Sequence, residues 1–224
     1  MANLLIKPTT GPGNKVILQD QAGGDILTSA DSGATIENAI ITADTLTVTG
    51  STGLGWRLLE TQTSSDAGNI IIGSATTLSS TYDDYMIVGT SVRTHTAGSL
   101  VFRMTIGGSE LSSAYLTVGH GLDSSATNTN VTSGNYQYAF INSGTGTNNN
   151  AYDRLEFKMY LSSPTSTVFQ HKAWGIASYS TNAGYVRNSA FSARHNTTGA
   201  LTAIKVYPGS GNISGTLKLY GLSK

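Results

Sequence analysis

The heptapeptide "LEFKMYL" (residues 155–161) decides the fold class, because apolar side chains occupy every second position without a break. Those apolar residues are Leu155, Phe157, Met159 and Leu161. Successive side chains of a β-strand point to opposite faces, so the stretch predicts a strand with one buried face. Residues 100–106, "LVFRMTI", repeat the arrangement. The two stretches together indicate a sheet that packs one face against a core.

Three later stretches extend this prediction. Residues 168–177, "VFQHKAWGIA", are predicted as a strand with Phe169, His171, Ala173 and Gly175 on one face and Gln170, Lys172 and Trp174 on the other. Residues 203–207, "AIKVY", and 216–220, "TLKLY", lie on either side of the turn-rich segment "PGSGNISG". We expect them to form a closing hairpin whose last strand, with Leu217 and Leu219, is held within a sheet.

The composition also favours strands and turns. Charged residues make up 12% of the 224 residues, about half the usual share, and the chain has 26 glycines with many serines, threonines and asparagines. Threonine favours strands, whereas glycine, asparagine and serine favour turns. No segment shows a helical period. We therefore predict an all-β, jelly-roll-like β-sandwich over residues 56–224, with almost no helix.

Residues 1–55 differ from the rest and are predicted as an extended N-terminal arm and linker. Short β-prone pieces alternate with turn sequences such as "AGGD" and "DSG", and too few apolar side chains lie in each piece to form a core. One interpretation is an arm without fixed structure. The other is an arm that packs against other chains. In that case the assembly contacts are Leu4, Leu5, Ile6, Val16, Leu18, Ile26 and Leu27.

Several classes of function receive no support from the sequence. The formal net charge is zero, without a basic cluster that would neutralise nucleic-acid phosphates. There is no apolar run near 18 residues for a membrane span, and no charged segment precedes the apolar N-terminal patch as in a signal peptide. The chain has no cysteine, so we expect neither disulfides nor thiolate metal sites.

No pattern of catalytic, cofactor-binding or metal-ligating residues is evident. The four histidines are not at local ligand spacing, and Asp83 and Asp84 would point to opposite faces of a strand. The segment "GPGNK" lacks the spacing of a phosphate-binding loop. We predict no enzymatic activity, no cofactor and no metal.

Tyrosines near the loop-rich segments leave two interpretations open. With nearby asparagine and serine, exposed tyrosine and tryptophan form carbohydrate-binding platforms, whereas tyrosine is also common at half-buried strand positions. The tyrosines in question are Tyr115, Tyr136, Tyr138, Tyr152, Tyr179 and Tyr185.

The layout resembles small virion structural proteins of tailed bacteriophages, notably those of marine and cyanobacterial phages. The matching features are an arm with "ILQDQAGGDILT" and "TLTVTG", a linker with Trp56, an early "YDDYMIVGTSV" strand and the closing "GNISGTLKLYGLSK". The resemblance spans most of the chain, and "GTLKLYG" is its most specific part. Related proteins are usually head-decoration or tail-fibre-like proteins, typically trimeric.

The resemblance implies a protein of the virion surface, assembled in the host cytoplasm. The first hypothesis is a capsid decoration or cement protein that binds the major capsid protein as a homotrimer and stabilises the capsid. The alternative is a tail fibre protein that recognises host surface glycan. A short chain without heptad or collagen-like repeats favours decoration, because a fibre usually needs a long shaft.

Overall fold

The computed structural model describes residues 17–19, 25–30, 33–36, 55–126, 128–142, 154–181 and 183–223. This part of the chain contains strands and turns and no helix, so the all-β prediction is confirmed. The strands are β1 (Ile17–Gln19), β2 (Asp25–Ala30), β3 (Gly33–Ile36), β4 (Trp56–Ala67), β5 (Ile70–Ile72), β6 (Tyr82–Thr94), β7 (Leu100–Ile106), β8 (Ser109–Glu110), β9 (Tyr115–Asp123), β10 (Asn128–Tyr136), β11 (Ala139–Phe140), β12 (Leu155–Ser162), β13 (Lys172–Ser180), β14 (Val186–His195), β15 (Leu201–Pro208) and β16 (Ile213–Ser223).

The chain divides into two compact units, Met1–Gly50 and Ser51–Lys224. In the first unit, β1, β2 and β3 form a three-stranded antiparallel sheet. Leu18 pairs with Leu27, and Leu27 also pairs with Ile36. The short β-prone pieces of the sequence therefore pair with one another.

The second unit contains two antiparallel sheets, consistent with a β-sandwich. The larger sheet has eight strands in the order β10-β9-β14-β13-β12-β6-β16-β4. The smaller has the order β11-β7-β15-β5, with β8 paired to β7. All described strand pairs are antiparallel, and several of them join strands that are distant in sequence.

Alternating apolar residues form the core, as the sequence predicted. Leu155, Phe157, Met159 and Leu161 of β12 are all buried, and the residues between them are exposed or half-buried. On β13 three of the four buried positions are small, namely Ala173, Gly175 and Ala177, and a Cβ on Gly175 would lie 2.0 Å from the Lys158 carbonyl oxygen and 2.8 Å from the Phe191 ring. Small residues on β13 thus make room for the aromatic side chain of its neighbour β14.

One charged pair lies inside this unit. Arg187 on β14 donates a hydrogen bond to Asp123 on the adjacent β9, with Nη2 2.5 Å from Oδ2, and both side chains are nearly inaccessible. A buried charge is costly unless it is paired, so each of these residues requires the other.

The predicted closing hairpin is wrong. β15, with Ile204 and Val206, pairs with β7 and β5 in the smaller sheet, whereas β16 lies between β6 and β4 in the larger one. The turn-rich segment therefore crosses from one sheet to the other. Both sheets need an apolar strand at this point, and alternation alone does not distinguish a hairpin from a crossing. The expectation that the last strand is held within a sheet is confirmed.

The strand predicted within residues 168–177 begins later than expected. β13 starts at Lys172, and Phe169 lies before it with 68% of its surface exposed. The hydroxyl of Ser166 accepts hydrogen bonds from the backbone N–H groups of Val168 and Phe169, at 3.2 and 3.0 Å. This local turn takes up the backbone groups that a longer strand would use.

Candidate functional site on the outer face of the eight-stranded sheet

The outer face of the eight-stranded sheet, the side turned away from the core, carries several large apolar side chains. Trp174, Ile176, Val118 and Leu122 are 49%, 59%, 51% and 50% exposed. They lie on β13 and β9, which are separated only by β14. Exposed apolar residues gathered on one face mark a binding surface more often than scattered ones do. We therefore take this face as the candidate functional site.

Aromatic residues form a row on this face. The rings of Tyr160 on β12 and Trp174 on β13 are stacked, with centroids 4.6 Å apart and an interplanar angle of 23°. Tyr160 and Trp174 are directly opposite in the strand pairing, which brings the two rings together. Trp56 on β4 lies 6.0 Å from the Tyr160 ring on its other side. The row gives the face a rigid, amphipathic contact surface.

A groove of about 430 Å³ lies beside the aromatic row. It extends from Val88 on β6 to His120 and Leu122 on β9, with Ile176 and Ala190 between them. The ring Nδ1 of His120 is 2.7 Å from the side-chain oxygen of Asn130 on the edge strand β10, which fixes the ring at one end of the groove. The groove is a mostly apolar depression with polar groups at its border, a usual form for a ligand site.

Two cations lie at the other end of the face. Lys172 on β13 is directly opposite Arg194 on β14. Both line a cavity of about 340 Å³ with Ser192 and Val118. Both also line a second cavity of about 550 Å³ with Phe169 and Gln170. The basic pair, Lys172 and Arg194, therefore lies between two cavities.

The outer face of the smaller sheet has charged and aromatic residues that already satisfy one another. Glu110 accepts hydrogen bonds from Arg103 Nη1 at 2.7 Å and from Lys205 Nζ at 2.9 Å. The hydrogen bond from Arg103 outweighs the opposing effect of burial and holds the pKa of the Glu110 carboxyl below its usual value. Both cations lie over the ring of Tyr207, at 5.3 and 5.4 Å. Because the charges of this cluster are paired with one another, we interpret it as a structural network that stabilises the sheet.

The structure describes only part of the predicted assembly contacts. Leu18 lies on β1, and Ile26 and Leu27 lie on β2. The pairing of Leu18 with Leu27 brings these two positions together. Leu4, Leu5, Ile6 and Val16 lie outside the described residues.

The tyrosines considered for a carbohydrate-binding platform differ in how far they are buried. Tyr115 and Tyr179 are buried, so packing is the correct interpretation for both. Tyr136 and Tyr138 are half-buried and stack on each other beside Phe140, with centroids 6.0 Å apart. Tyr185 is 43% exposed, and Tyr152 lies outside the described residues.

Two of the four histidines, His171 and His195, are neighbours in the sandwich, and the backbone N–H of His195 donates to the His171 carbonyl at 3.3 Å. His171 and His195 are buried, and His195 packs edge-on against the ring of Tyr115 at 4.8 Å. Within the described ranges, no three histidine or carboxylate side chains come together as metal ligands. In the same part of the chain, no helix has the length and apolar character that crossing a bilayer requires.

The side chains of Asp66, His95 and Ser214 lie next to one another in the spatial sequence of a hydrolase triad, with the histidine between the carboxylate and the serine. His95 Nε2 is 2.5 Å from Ser214 Oγ, and His95 Nδ1 is 3.4 Å from Asp66 Oδ1. In a triad the serine gives its proton to the histidine. Here the Ser214 hydroxyl donates to the backbone carbonyl of Ser65, so His95 is the donor to Ser214. This direction fits a structural link between β4, β6 and β16 better than nucleophile activation.

Sequence reasoning placed Lys172 and Trp174 on one strand face but missed their partners. Tyr160 and Arg194 come from other segments, and only the pairing of β12, β13 and β14 brings the four side chains together. The available signal was a strand with small residues at the inner positions 173, 175 and 177 and with a lysine, a tryptophan and an isoleucine at the neighbouring outer positions. Large apolar residues on the outer face of a strand indicate a surface that binds a ligand or another protein.

No known protein family, curated protein or solved structure matches this chain.

Proposed function

We propose that this protein is a structural protein of a bacteriophage virion, a decoration or cement protein that binds the outer capsid as a homotrimer and stabilises it. The proposal includes an extended N-terminal arm that holds the protein on the major capsid protein and a jelly-roll-like sandwich displayed on the particle. The resemblance of the sequence to small phage virion proteins supplies the kind of particle. The structure supplies a surface suited to assembly.

The observation that supports assembly most is the edge strand β4. It is 12 residues long, about 40 Å when extended, and pairs with β16 on one side only among the described residues. Its sequence has no proline or lysine, two of the residues that protect such edges, and its charged residues are limited to Arg57, Glu60 and Asp66. Trp56 and Leu58 on it are 39% and 50% exposed. A long, partly apolar edge is a template for pairing with another chain.

Imaging of intact phage particles tests this proposal. A label fused to this protein should appear on the capsid, at positions with local threefold symmetry. Labels confined to the tail would favour the second candidate below, and particles without any label would overturn a virion role.

The second candidate function is recognition of host surface glycan by a tail fibre protein. The exposed stack of Tyr160 and Trp174 favours it, because aromatic faces pack against the apolar faces of sugar rings. A glycan array probed with the full chain tests this candidate, and no binding to any immobilised glycan would exclude it.

A further inference from the structure

We propose that the basic pair, Lys172 and Arg194, binds the acidic group of a carbohydrate, a carboxylate or sulfate carried on a sugar ring. The proposal rests on the second candidate function and names its substrate class and its site. The remaining sugar units lie in the two cavities that the basic pair separates.

The basic pair is electrostatically unbalanced without a ligand. Like charges directly opposite each other on neighbouring strands destabilise a sheet. Lys172 and Arg194 are directly opposite. Neither forms an ion pair or a side-chain hydrogen bond with any residue that the structure describes. An anion between them would convert this repulsion into two charge-assisted hydrogen bonds.

An equivalent pair of cations on the smaller sheet has an acidic partner, which the basic pair lacks among the described residues. Arg103 and Lys205 are also opposite each other, on β7 and β15, and Glu110 lies between them and bonds both. The smaller sheet thus supplies its own carboxylate. At Lys172 and Arg194 the equivalent acidic group is missing from the described part of the chain, and a ligand carboxylate or sulfate would take its place.

The side chains around the basic pair match a ligand rich in hydroxyl groups. Neutral polar residues line the two cavities, and no carboxylate is among the residues lining either one. These polar residues are Ser162, Ser163, Gln170, Thr198 and Ser192. Hydroxyl and amide groups both donate and accept hydrogen bonds, as sugar hydroxyls require. The same lining would repel no negative charge on the ligand.

Apolar walls next to the basic pair suit the faces of sugar rings. Phe169 and Val168 line the larger cavity and are 68% and 73% exposed. The Ser166 hydroxyl holds their backbone in a turn, so both side chains stay at the cavity. Leu116 and Val118 form an apolar wall of the smaller cavity.

A carbohydrate fits this surface better than an extended peptide does. The backbone groups of β13 and β14 are already paired within the sheet, on both sides of each strand. A peptide lying on the face would find no backbone partners for its own N–H and C=O groups. A sugar chain presents hydroxyl groups that side chains and water satisfy.

Calorimetric titration of the full chain with three hexasaccharides tests the proposal. We expect hexagalacturonate or sulfated maltohexaose to bind, and neutral maltohexaose to bind at least about tenfold more weakly at low salt. The two acidic probes distinguish a carboxylate from a sulfate site. The double variant Lys172→Gln with Arg194→Gln should lose about tenfold or more of the affinity.

The matched control is Lys218→Gln with Arg57→Gln. It removes one lysine and one arginine from the same sheet, on β16 and β4, at positions that line none of the cavities described above, and should change affinity less than about twofold. Equal loss in this control would show general attraction and overturn the proposal. So would equal binding of the neutral sugar, or equally tight binding of a single-stranded oligonucleotide of the same charge.

The sugar-binding experiment and the test of the proposed virion role can fail independently of each other. If neither acidic probe binds, the acidic-sugar site is wrong, whereas the particle images still decide whether the protein belongs to the virion. If the Lys172 and Arg194 variant loses particle attachment but keeps sugar binding, the pair contacts a protein and the proposal fails.

Discussion

Single side chains in this sandwich are constrained from two directions, by the core behind the sheet and by the neighbouring strands beside it. His195 illustrates both. Its Nε2 lies 2.6 Å from the Ser113 carbonyl oxygen, and its Nδ1 accepts the Thr197 N–H at 3.0 Å. The ring is therefore neutral, with its proton on Nε2. Protonation of Nδ1 would remove the hydrogen bond from Thr197.

The first prediction concerns this histidine. Burial lowers the pKa of His195 from its usual 6.5 in the folded state, so the unfolded chain binds the proton more readily. We expect the free energy of unfolding to be highest above pH 6.5 and to fall as the pH decreases below it. Denaturant titrations between pH 5 and about 8 measure this. The variant His195→Gln should show a shallower pH slope.

The control for this prediction is Asn188→Gln, at an exposed position on the same strand that carries no titratable group, so the wild-type pH slope should remain. If the slope were the same in the wild type and the His195→Gln variant, another group would be responsible.

The second prediction concerns close packing at Gly175. A methyl group there would meet the Lys158 carbonyl oxygen at 2.0 Å, and backbone moves less easily than a flexible side chain. We expect Gly175→Ala to cost about 3 kcal/mol of the free energy of unfolding, as overpacking does. The matched control is Gly68→Ala, where a Cβ has nothing within 4 Å. Thermal unfolding measures both, and equal midpoints would contradict the packing argument.

At the level of strands, alternation in the sequence predicted the elements well and their neighbours poorly. The pattern of Leu155 to Leu161 fixes which side of β12 is buried, because one face must be apolar. It does not say that β12 pairs with β6 and β13. That choice depends on contacts between distant segments, as the wrong closing hairpin of β15 and β16 shows. The candidate site was missed for the same reason, since Tyr160, Trp174 and Arg194 meet only through strand pairing.

The third prediction concerns the edge strand β4. Leu58→Lys puts a charge on this edge, which usually prevents pairing with another chain. We expect it to reduce self-association and particle attachment without unfolding the sandwich, because Leu58 is half exposed. The matched control is Ile71→Lys on β5, an aliphatic residue that is 51% exposed on the other sheet. Analytical ultracentrifugation and particle binding measure the two variants, and equal losses in both would argue against a role for the β4 edge.

For the molecule as a whole, zero net charge and 12% charged residues limit long-range attraction. The proposed attachment to the particle therefore depends on apolar and backbone contacts, which salt screens weakly. The basic pair on the outer face is a local exception and faces a different proposed ligand.

The fourth prediction concerns release from purified particles. Raising salt to molar levels should release little protein, whereas Leu18→Asp or Ile26→Asp should release much of it, because a buried carboxylate disrupts an apolar contact. Release is measured by sedimenting the particles and quantifying the protein in the supernatant. Release by salt alone, with both aspartate variants still bound, would mean that electrostatic contacts hold the protein in place.

The position of β16 affects how the protein is made. This strand forms the ladder between β4 and β6, and Thr63 and Thr216, whose hydroxyls lie 3.0 Å apart, are 153 residues apart in sequence. During translation, β4 and β6 leave the ribosome long before the strand that joins them. Until then each exposes an unpaired edge that invites aggregation, and such distant pairing forms slowly. A nascent chain stalled before residue 213 should therefore remain sensitive to protease and bound by chaperones, and should become resistant only after β16 has emerged.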